Sequence, residues 1–283
     1  MPMLAGLVDA VIGVDTHRDT HTAAVLDPNG GLLATTVTRT DQAGYQELLG
    51  WAAQRAPGRR CWAVEGTGSY GAGLTRFLAE HGEWVVEVDR PTRSPRRRGK
   101  SDALDAERAG REALARAHLA VPRQRGQREA LRVLHLARSA AVQAYADARR
   151  VLKALLVTAP APLREELRGL PWRRLAEACV GLVVPTGAPV EHQATVGALR
   201  ATAERLLAAD QQANDLEREV SKLVGQLAPA LLEQPGVGPV VAAQVLLAWS
   251  HPGRVRSEAA FAMLGGAAPI PASSGRTVRY RLM

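Results

Sequence analysis

Cysteine is scarce in this chain. Two in 283 residues, Cys61 and Cys179, are too few for a disulfide framework and cannot build a zinc site by themselves. Aromatic residues make up only 4% of the sequence, which leaves few rings to stack on bases; Tyr70 is the one candidate whose setting looks exposed. Lysine is nearly missing too. Of 36 basic residues only Lys100, Lys153 and Lys222 are lysines, so almost all the positive charge is guanidinium, a shape suited to bidentate phosphate contacts. No stretch approaches the roughly 20 apolar residues of a membrane span, and the N-terminus has no basic region followed by an apolar signal core. These absences argue against a small secreted scaffold and a helical membrane protein. They point to a cytoplasmic chain with no membrane partner.

What is present is a hydrophobic fraction of 46%, enough for a sizeable core in one or two domains, and a formal charge of +8 with an isoelectric point near 10.3. That balance favours a polyanionic partner such as nucleic acid. The first third alternates strands and helices as an α/β layer does. Val11-Ile12-Gly13-Val14 reads as a strand and Ala23 to Leu26 as a second apolar run. Asp27-Pro28-Asn29-Gly30-Gly31 has the chemistry of a hairpin turn that returns Leu32 to Thr38 antiparallel. A helix over Asp41 to Ala53, a strand over Cys61 to Val64, a helix over Leu74 to Glu80 and a strand over Trp84 to Val88 follow. Residues 91–101, with two prolines and a run of basic residues, read as an exposed loop, after which Ser101 can cap a helix.

The middle of the chain is helical. Leu131, Leu134, Arg138, Ala141, Tyr145, Ala148, Leu152 and Leu155 form a heptad seam with one polar interruption, and Leu206, Ala209, Ala213, Leu216, Val220, Leu223 and Leu227 form another. The two helices can pair with each other or, the reading favoured here, with another subunit. A Pro-rich connection between them accommodates a short helix over Trp172 to Leu182. Beyond it, Pro235-Gly236-Val237-Gly238-Pro239 precedes an apolar helix, and Gly236 and Gly238 there can present backbone N–H groups to a phosphate.

Two-metal phosphodiester chemistry needs three or four carboxylates converging on one site, because hard divalent cations prefer oxygen ligands. Asp15 and Glu65 each end a short apolar strand. Asp102 and Asp105, three apart at a helix start, share a helical face. Arg90, Arg93, Arg96, Arg97, Arg98 and Lys100 crowd beside them, where they can neutralise strand phosphates, and Arg123, Arg125 and Arg128 extend the positive surface. His17 and His21, four apart after Asp15, have the spacing of a metal pair on a helix. With no third ligand evident nearby they are read as loop or DNA-contact residues.

Val11-Ile12-Gly13-Val14-Asp15-Thr16-His17, then Val64-Glu65-Gly66-Thr67-Gly68-Ser69-Tyr70-Gly71, then Lys100-Ser101-Asp102-Ala103-Leu104-Asp105, together resemble the three blocks of the DEDD transposases of insertion-sequence family 110, which include the RNA-guided bridge recombinases. The stretch from Gln234 to Gly275 is similar to that family's second conserved domain. The resemblance implies a RuvC-like, ribonuclease-H-fold domain over 1–122, a coiled-coil helical dimerisation region over 123–230, and a small helical domain over 231–283 that starts like a helix-hairpin-helix. In fold class this is α/β plus all-α. It further implies that Asp15, Glu65, Asp102 and Asp105 hold Mg2+, and that Ser274, just before Gly275, is the nucleophile, with Ser273 its nearest competitor. The implied partners are donor and target DNA and a noncoding guide RNA, with the protein a homodimer or homotetramer at the bacterial nucleoid. Family members usually continue past the position of Met283 with a Gly-rich basic helix, so the last domain is expected to be truncated here.

Three other readings compete. One is a hydrolytic RuvC-type nuclease in which water attacks and Ser274 is structural. Another is a non-catalytic basic coiled-coil nucleic-acid binder. An actin-like phosphotransferase also opens with a strand ending in Gly-Val-Asp, but it requires a later strand-Asp-Gly-Gly pattern that the sequence lacks.

Overall fold

A computed structural model describes residues 3–89, 101–123 and 125–281. The basic segment containing Arg90, Arg93, Arg96, Arg97, Arg98 and Lys100 lies outside the described residues. The chain divides into two compact units, one made of Met1–Gln124 with Trp249–Met283 and the other of Arg125–Ala248.

The first unit is built on five strands: β1 (Ala10–Thr16), β2 (Thr20–Leu26), β3 (Leu32–Arg39), β4 (Arg60–Glu65) and β5 (Trp84–Val88), in the order β3-β2-β1-β4-β5. β1, β2 and β3 form the antiparallel meander that the turn chemistry predicts. Asp27 Oδ1 accepts the backbone N–H groups of Asn29 and Gly31, and Gly30 has φ +83°. β4 and β5 add in parallel to β1, with helical crossovers α1 (Gln42–Arg55) and α2 (Ala72–Glu80). α1 begins where Asp41 Oδ1 accepts the Gly44 N–H at 2.8 Å.

Strand alternation sorts the sheet into two cores. Ala10, Ile12 and Val14 of β1, with Trp62 and Val64 of β4, pack on Tyr45, Leu48, Leu74, Phe77 and Leu78 of α1 and α2. Val11, Cys61, Ala63, Val86 and Val88 point the other way, onto Ala109 and Ala113 of α3 (Asp102–Ala115). Every β1 residue is buried, which is the signature of a central strand covered on both faces.

The second unit is helical. α4 (Gln127–Thr158), α5 (Ala161–Leu167), α6 (Trp172–Gly181), α7 (Val190–Leu227), α8 (Pro229–Leu232) and most of α9 (Pro239–Trp249) compose it. The two heptad seams face each other within one chain, which corrects the expectation that they pair with another subunit, and run antiparallel: Arg138 of α4 reaches Glu217 of α7 at 2.8 Å, while Gln127 at the start of α4 bonds Gln226 near the end of α7. The polar interruption in the first seam is therefore one half of an ion pair. Two cores flank it. One gathers Leu152, Leu163, Leu175, Leu199 and Leu206, and the other gathers Leu131, Val220, Val224, Ala242 and Ala243. No helix among the described residues is long and apolar enough to cross a membrane.

After α9 the chain returns to the first unit with α10 (Glu258–Leu264) and a small hairpin of β6 (Ile270–Pro271) and β7 (Tyr280–Arg281).

Candidate metal centre

The candidate site is assembled at the carboxyl end of β1. Val11, Gly13 and Asp15 share the face that α3 covers, and Gly13 lets the helix come close. A Cβ there would lie 2.0 Å from the Ala106 carbonyl oxygen and 2.5 Å from the Gly110 nitrogen. Gly110 is constrained from the opposite side, since its Cβ would meet Leu26 Cδ1 at 2.4 Å. The buried face of α3 is accordingly small, Ala106, Ala109, Gly110 and Ala113. This contact lays the first turn of α3 beside the end of β1. That turn is held in place by Ser101, whose Oγ accepts the Leu104 N–H at 3.3 Å, as the predicted cap requires.

Asp15 and Asp102 thereby meet around a side chain that the sequence reading set aside. His17 Nε2 lies 3.1 Å from Asp15 Oδ2 and 3.5 Å from Asp102 Oδ1, and ligand atoms of the three residues all fall within 4.8 Å of one another. Asp15 is the inner member, 10% exposed at its side chain, while Asp102 at 52% opens to solvent. Burial pushes the Asp15 carboxyl above its usual range. Charge on His17 pulls it down, and Asp102 and Asp105 push it up again. Asp105 is thus near enough to act on Asp15 through charge, although its own Oδ1 accepts a hydrogen bond from Arg108 at 2.8 Å.

Glu65 ends β4 one step beyond the paired Val14 and Val64, so alternation puts it on the same sheet face as Asp15. Thr16 ties the two strand ends together by donating to the Glu65 carbonyl at 2.9 Å. The carboxylates of Glu65 and Asp105 stand outside the three-residue cluster.

The two histidines part company. His21 is not on a helix with His17; it is a fully buried β2 residue whose ring stacks on Tyr45 at 5.9 Å. Burial depresses its pKa to about 4, so it is a neutral core residue. Strand alternation carries the signal, because His21 falls in the inward register with Ala23 and Val25.

Beyond Glu65, Gly66 adopts φ +66° and starts a turn in which Ser69 and Gly71 donate to its carbonyl. Tyr70 projects from it, 59% exposed, and the Arg123 guanidinium packs over Gly68. Thr67 donates to Glu87 Oε2 at 2.7 Å, and His251 Nε2 approaches the same oxygen at 3.4 Å. His251 Nδ1 is 2.8 Å from Ser250 Oγ, and Ser250 has φ +62°, a conformation that no other non-glycine adopts among the described residues. This buried polar group fastens the start of the C-terminal segment to the β4 and β5 ends. Nothing in the local sequence around Ser250 or Glu87 announces it.

Ser274 and Ser273 lie at the tip of the β6–β7 hairpin. Ser274 and Thr277 exchange backbone hydrogen bonds around Gly275, whose φ is +56°. The Ser273 hydroxyl is engaged by the Arg279 backbone at 3.3–3.4 Å, whereas the exposed Ser274 hydroxyl makes no hydrogen bond among the described residues. Gly236 and Gly238 are exposed ahead of α9, in the helical unit.

The donor set fits a divalent cation. Two carboxylates and an imidazole converge, a third carboxylate adds negative potential, and the His17 Nε2 atom is enclosed between the Asp15 and Asp102 oxygens.

Residues 12–160 match the family model of DEDD transposases of the IS110 type, and residues 228–283 match that of the IS116/IS110/IS902 transposase family. The chain is also similar to an insertion element IS116 uncharacterized 44.8 kDa protein of Streptomyces clavuligerus, 26% identical over 319 residues that span 94% of this chain and 77% of the relative.

Proposed function

The chain belongs to the IS116/IS110/IS902 family of transposases, with a ribonuclease-H-like α/β sheet and helical regions, and from that premise we propose that it cuts and rejoins DNA by metal-assisted transesterification through Ser274. The observation that carries the reading is the meeting of Asp15 and Asp102 around His17 at the end of β1. Asp15, Asp102 and His17 would hold the cation, with Glu65 and Asp105 available as further oxygen ligands, and Mg2+ is the ion that their carboxylates favour. When bound, it supplies charge neutralisation and Lewis-acid polarisation of a phosphate oxygen.

The remaining chemistry belongs to the chain itself. The Ser274 Oγ–P bond forms as the P–O bond to one sugar oxygen breaks; the seryl proton is given up and the departing sugar oxygen is protonated. The resulting phosphoserine conserves the ester, so a second sugar hydroxyl can reverse the step on a new strand without an external energy source. The open Ser274 hydroxyl supports this assignment over Ser273, whose oxygen is held by the backbone. In this reading 1–122 provides the metal centre, 123–230 assembles two or four subunits, and 231–283 delivers the serine. Arg93, Arg96, Arg97, Arg98, Lys100 and Tyr70, with the N–H groups around Gly236 and Gly238, contact the nucleic acid. The excess of 36 basic over 28 acidic residues supports a polyanionic partner; in this reading the partners are DNA and a noncoding RNA guide, in the cytoplasm at the nucleoid.

A denaturing gel tests the nucleophile. Incubation with cognate DNA should give a covalent protein–DNA adduct that Ser274→Ala eliminates and Ser273→Ala retains. Cleavage to free ends with no adduct would refute Ser274. That outcome would establish the hydrolytic reading, which one observation favours: the three residues of the candidate cluster all lie between residues 15 and 102, without the hairpin. Sequencing of copurifying RNA tests the guide, and recovery of only random cellular fragments counts against it.

A further inference from the structure

A cavity of about 340 Å3 opens on the helical unit, far along the chain from the metal centre. It is lined by Tyr145, Ala146, Arg149, Arg150 and Lys153 of α4, a single helical stripe, and by Trp172 in the first turn of α6. The two rings are half-buried because they pack on the core around Leu152 and Leu175, which holds them rigid. The Arg149 guanidinium lies 4.3 Å from the centre of the Trp172 ring, so a cation and an aromatic plane are already stacked.

The charge that lines this place is all of one sign. Several cations of the long helices are matched by acids, as in Arg132–Glu129, Arg138–Glu217, Arg218–Asp215 and Lys222–Glu219, while Arg200 donates to the Val180 carbonyl. Arg150 is likewise held by Asp147. Arg149 and Lys153 have no carboxylate partner among the described residues, and positions 145, 146, 152, 156 and 157, one helical turn from one or the other, are all uncharged. No carboxylate lines the cavity. In a chain with 4% aromatics, two rings and three cations therefore converge on one concave, mainly apolar surface.

We infer that this cavity binds a single-stranded segment of polynucleotide, one unpaired base stacking beside Tyr145 and the Trp172–Arg149 pair while its flanking phosphates meet Arg149, Arg150 and Lys153. The inference rests on the reading of this chain as a nucleic-acid enzyme and extends it to the helical unit. A flat ring beside a guanidinium plane with further cations around it suits a planar base joined to phosphates, a combination that every nucleotide of a single strand repeats. A duplex does not fit, because its base faces are already covered by their neighbours. Unpaired RNA and DNA share the required chemistry.

The test is fluorescence anisotropy of the full chain with labelled twelve-nucleotide oligo(A) and oligo(dA) in chelator, so that cleavage is neither needed nor read. Trp172→Ala should weaken binding by about tenfold or more and Trp172→Phe by much less. Arg149→Ala with Lys153→Ala changes only exposed side chains and should lower the slope of log affinity against log salt by about 1.4, roughly 0.7 for each charge. A blunt duplex of the same length should respond little to Trp172→Ala. The relative affinity of the two oligomers identifies which strand occupies the site. Unchanged binding in both the tryptophan and the double variant overturns the inference, as does equal loss for duplex and single strand. Displacement by an acidic peptide as effective as that by oligonucleotide would assign the cavity to a protein partner instead. A Ser274 variant that forms no adduct leaves this result untouched, and failure here leaves the metal centre standing.

Discussion

The two units carry similar charged residues and use them in opposite ways. In the α/β unit the charges that matter are brought together from distant parts of the chain: Asp15 from β1, His17 from the turn after it and Asp102 from α3 meet at one strand end, and Asp15 is buried there against its electrostatic preference. In the helical unit the ion pairs are mostly between residues of one helix at i+3 or i+4, near the surface. Pairs of that kind contribute a few tenths of a kcal/mol each, so the stability of that unit comes from its leucine and alanine cores. Charge that opposes folding marks function; charge that satisfies its neighbours marks a scaffold.

Substitutions can break this contrast, and the largest effect belongs to the strand end. Asp15→Asn or Asp102→Asn should reduce DNA strand exchange to background on a plasmid assay. The rise in melting temperature with Mg2+ or Mn2+ should disappear with it, because a cation that binds only the folded state stabilises it. Full exchange in either variant would remove the metal role. Next comes the contact that builds the site. Gly13→Ala forces a Cβ into the backbone of α3 and should cost about 3 kcal/mol or more in urea unfolding, weakening cation binding as well. Leu152→Ala, in the helical core, should cost a comparable ~2–5 kcal/mol and leave cation affinity unchanged. Equal effects of both on the cation would mean that the units are not functionally distinct.

The third effect is pH-dependent. His21 titrates at about 4 when folded against an ordinary 6.5, so between those values the unfolded chain takes up a proton that the folded chain refuses. Stability should fall by about 2 kcal/mol as pH drops from about 6.5 to about 4 and be insensitive to this group below that. His21→Phe should flatten that segment of the urea-midpoint profile, and an unaltered profile would place the ring in water. The smallest effect is at the polar interruption of the seam. Glu217→Gln should cost at most about 1 kcal/mol, since the pair with Arg138 is partly solvated.

Much of the local architecture is legible in order along the chain. The meander, the crossovers, the Asp41 and Ser101 caps and both seams follow from turn chemistry and periodicity, which act over a few residues. The His17 and His21 pair shows where that reading stops. Their spacing of four suggests a helix, but three residues of turn intervene and β2 begins at Thr20, so one imidazole joins Asp15 while the other enters the core. The further acidic partner not evident near them in sequence comes from α3, as Asp102.

The order of secondary structure, the basic character of the chain and the acidic side chains worth suspecting were all set by local composition and pattern. Which of those side chains meet, that His17 stands among them, that the oxygen of Ser273 is bound while that of Ser274 is open, and that Trp172 folds over Arg149 were decided only by tertiary packing. The reason is physical: hydrogen-bonded turns and periodic faces are read over short separations, whereas the distance between Asp15 and Asp102 depends on how closely a helix of small residues can approach Gly13.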